Sequence, residues 1–293
     1  MKDKEERNLH QLEKIVAGLA LAAVFGLSIG FASSANAQSA PAHLRSASVL
    51  VQDAASGETL YAKNQSAILP IASITKLMTA VVILDASVDL QQRVVISGDD
   101  YDQLKGTRSR LRAGVALTRD EMLLLALMSS ENRAAAALAR TYPGGTEVFV
   151  AAMNAKAREL GMQDTRFVDP TGLSSANVSS ARDLARLVAK AHEYALIREY
   201  STRRSAVVHS SFGGRALGFN NTNGLVRGGQ WEIGLSKTGY ISEAGRCLVM
   251  RVRMASRELN VILLDSWGRL SRIGDANRIR KWLETNAAAS RRI

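Results

Sequence analysis

Ser73 stands three residues ahead of Lys76 in the stretch Pro70–Met78 (PIASITKLM), where an apolar helix is expected to begin. Positions i and i+3 of a helix share a face, so the hydroxyl and the amine could point into one cavity. Serine is a poor nucleophile at neutral pH and needs a base. Lysine can serve when burial or neighbouring cations keep it neutral. Alone the pair is weak evidence, since a helix-start serine beside a solvated lysine is common. Two more polar triplets follow: Ser130-Glu131-Asn132 between two helical runs, and Lys237-Thr238-Gly239 opening a strand-like run. Each also has a bland reading, as a cap, a loop or an edge strand with a solvated lysine.

The elements around these triplets must bring them together. Pro70 breaks the chain, and the helix beyond it runs through Leu77–Leu84, apolar nearly all round and therefore central. Thr118 and Glu121 form a capping-box pattern ahead of the apolar run Met122–Met128. After Ser129–Asn132 a second helical run covers Arg133–Arg140, closed by Tyr142–Gly145. An amphipathic helix then spans Glu147–Leu160 and stops at Gly161. A loop, Phe167–Leu173, leads to a helix capped by Ser180 and Asp183 and reaching about Tyr194. Strand-like runs lie on both sides of this helical block. Upstream are residues 47–53 and 58–62, joined as a hairpin through Ala55–Gly57, with a short strand at Val94–Ile96 after the first helix. Downstream are Leu235–Tyr240, Cys247–Met254 and Leu259–Leu264, then a last helix, Ala276–Glu284, with Trp282 and Leu283 on one side. This order predicts a mixed α/β (α+β) domain whose sheet joins both ends of the chain, with an inserted helical subdomain.

The N-terminus bears on location. A charged segment, Met1–Lys14, precedes the apolar run Ile15–Ala32 and small residues at Ala35 and Ala37. That is the shape of a secretory signal cut after Ala37, with an uncleaved membrane anchor as the competitor. Residues 38–293 then form one exported domain, expected in the periplasm. The formal charge is +11, and the first 37 residues carry equal numbers of acids and bases, so the excess belongs to the exported body. Export excludes nucleic acid and leaves anionic envelope surfaces as targets for peripheral attraction. Cys247 is the only cysteine and sits in a strand-like run, a buried and inert thiol. Beyond the signal the histidines are His43, His192 and His209, too scattered for a metal set or a Ser-His-Asp triad. No cofactor or metal is expected.

In order and approximate spacing the three triplets resemble the serine penicillin-recognising set, with Ser-Glu-Asn where that set has Ser-Asp-Asn. Essentially all of residues 38–293 resembles serine D,D-peptidases of the low-molecular-mass penicillin-binding protein type. Phe167–Leu173, Asn177–Leu184 and Asn221–Leu225 also look like family segments. Ser236–Met250 is similar to the penicillin-binding protein 7 subgroup, D-alanyl-D-alanine endopeptidases. The β-rich domain that related carboxypeptidases usually add is not read after the last helix.

The resemblance implies a β-lactamase-like fold, an antiparallel sheet packed with helices. It implies that Ser73 is acylated by a D-alanyl peptide, that Lys76 takes its proton, and that Ser130 relays the proton to the leaving nitrogen. Asn132 would bind the peptide amide. Lys76 must be partly neutral, which requires a dry, cationic site; Lys237 would supply the neighbouring charge and attract the substrate carboxylate, which Thr238 would also bind. Gly239 would let substrate lie against the strand, and the N–H groups of Ser73 and Tyr240 would form an oxyanion hole. Peptidoglycan cross-links are the implied substrate and β-lactams the implied covalent inhibitors. A carboxypeptidase acting on terminal D-alanine uses the same acyl-enzyme, so the motifs leave that alternative open. A β-lactamase is the nearer rival, but Phe167–Leu173 holds Asp169 and no glutamate to activate a deacylating water. A non-catalytic wall-binding protein would explain the charge and not the three triplets.

Overall fold

The computed structural model describes residues 41, 43–210, 214 and 216–290, so the expected signal segment, residues 1–37, lies outside the described residues. In chain order, β1 (Ser46–Asp53) and β2 (Thr59–Lys63) form the expected hairpin. The short β3 (Leu69–Pro70) leads through a single 3-10 turn, Ala72–Ile74, into α1 (Thr75–Asp85). β4 (Arg93–Val95) pairs with β5 (Ala116–Thr118), ahead of α2 (Arg119–Met128), α3 (Asn132–Arg140) and α4 (Gly145–Glu159). β6 (Val178–Ser179) pairs back to β3, and α5 (Ala181–Glu193) runs on into α6 (Ala195–Thr202). A hairpin of β7 (Ser205–His209) and β8 (Ala216–Asn220) and a short α7 (Gly224–Gly228) precede β9 (Glu232–Ile241), β10 (Gly245–Met254) and β11 (Arg257–Ser266). The last helix, α8, covers Ser271–Ser290.

The main sheet has the order β2-β1-β11-β10-β9, with every neighbour antiparallel. β1 pairs with β11, so the sheet joins both ends of the chain as the sequence predicts. Period-two alternation gives each inner strand two apolar faces. Leu50, Cys247, Val249, Ile262 and Leu264 turn toward α5 and the helical block. Val49, Val51, Leu248, Met250, Val261 and Leu263 turn toward α8, where Ile279, Trp282 and Leu283 cover them. α1 is buried from Thr75 to Ile83, consistent with its apolar surface on every side. β9 is an edge strand, and it lies against the 3-10 turn that carries Ser73.

Several boundaries differ from expectation for local reasons. Ser73 lies in the 3-10 turn ahead of α1, while Asn132 is the first residue of α3 and not part of the loop. Lys237 falls in mid-strand, because β9 begins five residues earlier at Glu232. α6 was not expected. Tyr194, with ψ 118, interrupts the helical backbone after α5, and the buried Ile197 and Tyr200 give the next eight residues their own packed face. α8 extends well beyond Ala276–Glu284 at both ends.

Candidate active site

The serine is presented by a backbone that the fold must hold in place. Ala72, just before Ser73, has φ 46, a left-handed conformation that costs a non-glycine residue free energy. The Thr75 hydroxyl donates to the Ala72 carbonyl at 2.8 Å, and the Asn177 amide donates to that hydroxyl at 3.0 Å. Two glycines let other segments close on the turn. A Cβ on Gly239 would lie 2.9 Å from the Ile71 oxygen and 3.1 Å from the Ser73 nitrogen, so β9 approaches this closely only without a side chain. Gly239 is thus required for packing against the serine turn, apart from any task in admitting substrate. Gly172, at φ 80, would place a Cβ 2.0 Å from the Ala72 oxygen.

Lys76 is fully buried, and its Nζ donates to Ser73 Oγ at 2.9 Å, Asn132 Oδ1 at 2.7 Å and the Thr171 carbonyl at 2.6 Å. Burial lowers its pKa to about 7, against the opposing pull of Asp169, Glu131 and Asp102. Desolvation, the dry surrounding that a lysine base requires, is the cause of the lowering. Lys237 is itself nearly fully buried, and its pKa is pushed well down by desolvation first and then by Lys76 and Arg272. Its Nζ donates to Ser130 Oγ at 2.8 Å and to the Thr238 carbonyl at 2.9 Å. Ser130 is the second non-glycine residue of the site with positive φ, at 60.

The structure therefore brings Ser73, Lys76 and Asn132 into one hydrogen-bonded group and Lys237 and Ser130 into another. Glu131 stays out of both groups and accepts the Arg133 N–H at the start of α3. The Thr238 hydroxyl donates to Thr222 Oγ1 at 2.6 Å. The Tyr240 side chain is 57 % exposed with the Arg246 guanidinium 4.4 Å from its ring centre, while its backbone follows Gly239 past the serine turn. Cys247 is buried, and desolvation pushes its thiol up to about 11.

Asp169, noted in the sequence only as the acid of its loop, accepts from Thr171 N, Thr171 Oγ1, Gly172 N and Ser174 N at 2.6 to 3.0 Å, and so holds the Thr171 carbonyl in position for Lys76. Asn177 Oδ1 accepts the N–H groups of Val168 and Asp169, tying the same loop to the serine turn. Both lie in segments that look like the family, which was the available signal. Arg272 donates to the carbonyls of Gly239 at 2.9 Å and Cys247 at 3.1 Å from the start of α8, and no motif marks it.

The chain is similar to known proteins in sequence and in fold. A family model described as D-alanyl-D-alanine carboxypeptidase matches residues 34–267. A Pseudomonas aeruginosa protein named D-alanyl-D-alanine endopeptidase is 49% identical over 242 residues, 83% of this chain and 78% of that one. An Escherichia coli K12 protein of the same name is 44% identical over 265 residues, 88% of this chain and 86% of that one. The crystal structure of the Streptomyces K15 DD-transpeptidase superposes with a TM-score of 0.77 at 25% identity, covering 83% of this chain and 98% of that one. The antiparallel sheet, its helical insertion and the sequence match together place the chain in the D-alanyl-D-alanine carboxypeptidase family of serine peptidases.

Proposed function

We propose that this protein is a serine D,D-endopeptidase that opens D-alanyl–diaminopimelate cross-links of peptidoglycan through an acyl-enzyme on Ser73. The observation that carries the reading is the buried Lys76 amine, pKa about 7, 2.9 Å from Ser73 Oγ. A group poised there can take the serine proton as the hydroxyl attacks the D-alanyl carbonyl. The backbone N–H groups of Ser73 and Tyr240 receive the developing oxyanion, a donor there being worth about 3–4 kcal/mol. Ser130 passes a proton to the leaving nitrogen. Asn132 binds the amide of the acyl side, and Lys237 and Thr238 bind the carboxylate next to the scissile bond. An arriving carboxylate raises the pKa of Lys237 and favours its charged form. Water then releases the acyl group.

Penicillin acylates the same serine and leaves slowly, because Asp169 spends its carboxylate on four loop donors and is not free to activate water. The endopeptidase assignment is supported by the names of the Pseudomonas and Escherichia relatives. The exported body is residues 38–293 as one catalytic domain behind a signal at residues 1–37, acting in the periplasm. Among the described residues no helix is long and apolar enough to cross a membrane. The test incubates wild type and Ser73→Ala with labelled penicillin, cross-linked muropeptide dimers and pentapeptide monomers. Wild type should be labelled and should convert dimers to monomers; Ser73→Ala should do neither. Release of terminal D-alanine with dimers left intact would make the enzyme a carboxypeptidase.

A further inference from the structure

Next to the Ser130 turn, a cleft of about 440 Å³ is lined by Arg108, Arg110, Ser129, Glu131, Phe219 and Asn220. Its position relative to the reacting bond follows from the chain. Ser129 and Glu131 flank Ser130, whose hydroxyl is held by Lys237. Asn220 ends β8 two residues before Thr222, whose hydroxyl is bonded by Thr238. The cleft thus adjoins the Ser130 turn and the segment leading to Thr222, and in the function proposed above Ser130 and the Lys237–Thr238 pair serve the leaving group.

The charge of the lining is directional. The Arg110 guanidinium donates to the Gly218 carbonyl and stands 5.5 Å from the centre of the Phe219 ring, which fixes it on the wall of the cleft. Arg108 is exposed and has no hydrogen-bond or ion-pair partner among the described residues. The one carboxylate in the lining, Glu131, is buried and accepts the Arg133 N–H at 3.3 Å. Two guanidinium groups against one engaged carboxylate leave a net positive cleft, one of its cations having no partner among the described residues.

We propose that this cleft is the subsite for the leaving stem of a cross-linked substrate, an acidic peptide whose carboxylates are bound by Arg108 and Arg110. The proposal rests on the endopeptidase reading above and deepens it. A carboxypeptidase expels a single D-alanine, whose only carboxylate is taken up by Lys237 and Thr238. An endopeptidase expels a diaminopimelate that carries the rest of its stem and further carboxylates beyond that point. Planar guanidinium groups suit such ligands, since they can bind a carboxylate through two N–H donors. The cleft would therefore favour cross-links over free pentapeptides without altering the acylation chemistry.

Arg108 is the residue to change, because its side chain is exposed and has no partner among the described residues. Arg108→Ala, Arg108→Glu and Arg108→Lys are each assayed for kcat/KM on cross-linked dimers and for the second-order rate of labelled-penicillin acylation. The ratio of dimer cleavage to acylation should fall about fivefold for Arg108→Ala, the upper range for a partly exposed ion pair. It should fall further for Arg108→Glu and stay near wild type for Arg108→Lys, and added salt should narrow the differences. An unchanged ratio in Arg108→Glu overturns the subsite. An equal fall on pentapeptide monomers also overturns it, since the effect would then not come from the leaving stem. Failure of the underlying reading looks different: wild type itself would release terminal D-alanine and leave dimers intact, whatever the Arg108 variants did.

Discussion

Lys76 has no exposed surface, yet three oxygens surround its amine, so the site tolerates either protonation state at a cost that burial sets. With a pKa of about 7, the amine is the base only when it has lost its proton. Penicillin acylation should therefore rise with pH through an acid limb near 7 and level off above it, as stopped-flow rates from pH 5 to 9 would show. A rate independent of pH across that range would remove Lys76 as the base. The orientation of Asn132 is controlled from outside the group. Thr107 Oγ1 donates to Asp102 Oδ2 at 2.7 Å and accepts from Asn132 Nδ2 at 3.0 Å, which leaves Asn132 Oδ1 for Lys76. Thr107→Val should slow acylation roughly fivefold, the loss of about one hydrogen bond's net worth. It should also move the acid limb to lower pH, because an acceptor that stabilises the protonated amine is no longer held there. Thr107→Ser should restore both. The rate–pH profile separates this positioning role from simple loss of structure. Motif reading found Ser73, Lys76 and Asn132 because their types and spacing are chemically distinctive. Thr107 was not legible, since a threonine 25 residues from its partner in an irregular loop carries no pattern.

At the scale of elements, the site is a meeting of a turn, a loop and an edge strand, each shaped by the others. The loop at Asp169–Ser174 folds around one carboxylate, and Gly172 lets it press against the strained Ala72 backbone. Gly172→Ala would bring a Cβ to 2.0 Å from the Ala72 oxygen at a φ that L-residues rarely adopt. The loop must withdraw, and with it the Thr171 carbonyl that accepts from Lys76. Penicillin labelling should fall at least tenfold while the thermal midpoint drops by a few degrees, about 1–2 kcal/mol for strain at one residue. Labelling at the wild-type rate would show that the loop does not set the position of the Thr171 carbonyl. Long periodic elements were legible: the buried helix after Ser73 and the alternating strands β10 and β11 follow from their apolar residues, and the start of α2 from the Thr118 and Glu121 capping pair. The two-residue strands β3 and β6 were not, because so short a pairing is fixed by tertiary contact. Neither was the positive φ of Ala72 and Ser130, which their identities argue against.

Over the whole molecule, the chain's two ends meet in the sheet, and that meeting supports the catalytic edge. β9 reaches the serine turn only because β10, β11 and β1 fix its position, and α8 covers their outer face. That the sheet would join both ends was legible from the order of strands and helices, but the order of strands across it was not, since alternation says which face is buried and not which neighbour is paired. The link between α8 and the sheet is polar. Asp275, with no exposed surface, accepts from Arg45 N at 3.0 Å, Ser46 N at 2.7 Å and Ser46 Oγ at 2.6 Å, and pairs with Arg278. Burial raises its pKa, but these donors outweigh burial and bring it below the ordinary carboxylate value of 3.8. A lowered folded-state pKa contributes stability that is present above the unfolded value and lost as pH falls through the folded one. Asp275→Asn should destabilise the fold by about 1–2 kcal/mol near neutral pH, since Ser46 and Arg278 lose a charged partner. The difference should shrink below about pH 4 as wild type also takes up its proton. Urea unfolding of both proteins at pH 7 and pH 3 measures this. Equal midpoints at pH 7 would mean that apolar packing of Ile279, Trp282 and Leu283 alone holds α8 to the sheet. A clear gap that closes in acid would make the stability of the catalytic edge depend on a carboxylate at the opposite end of the chain from the hairpin it binds.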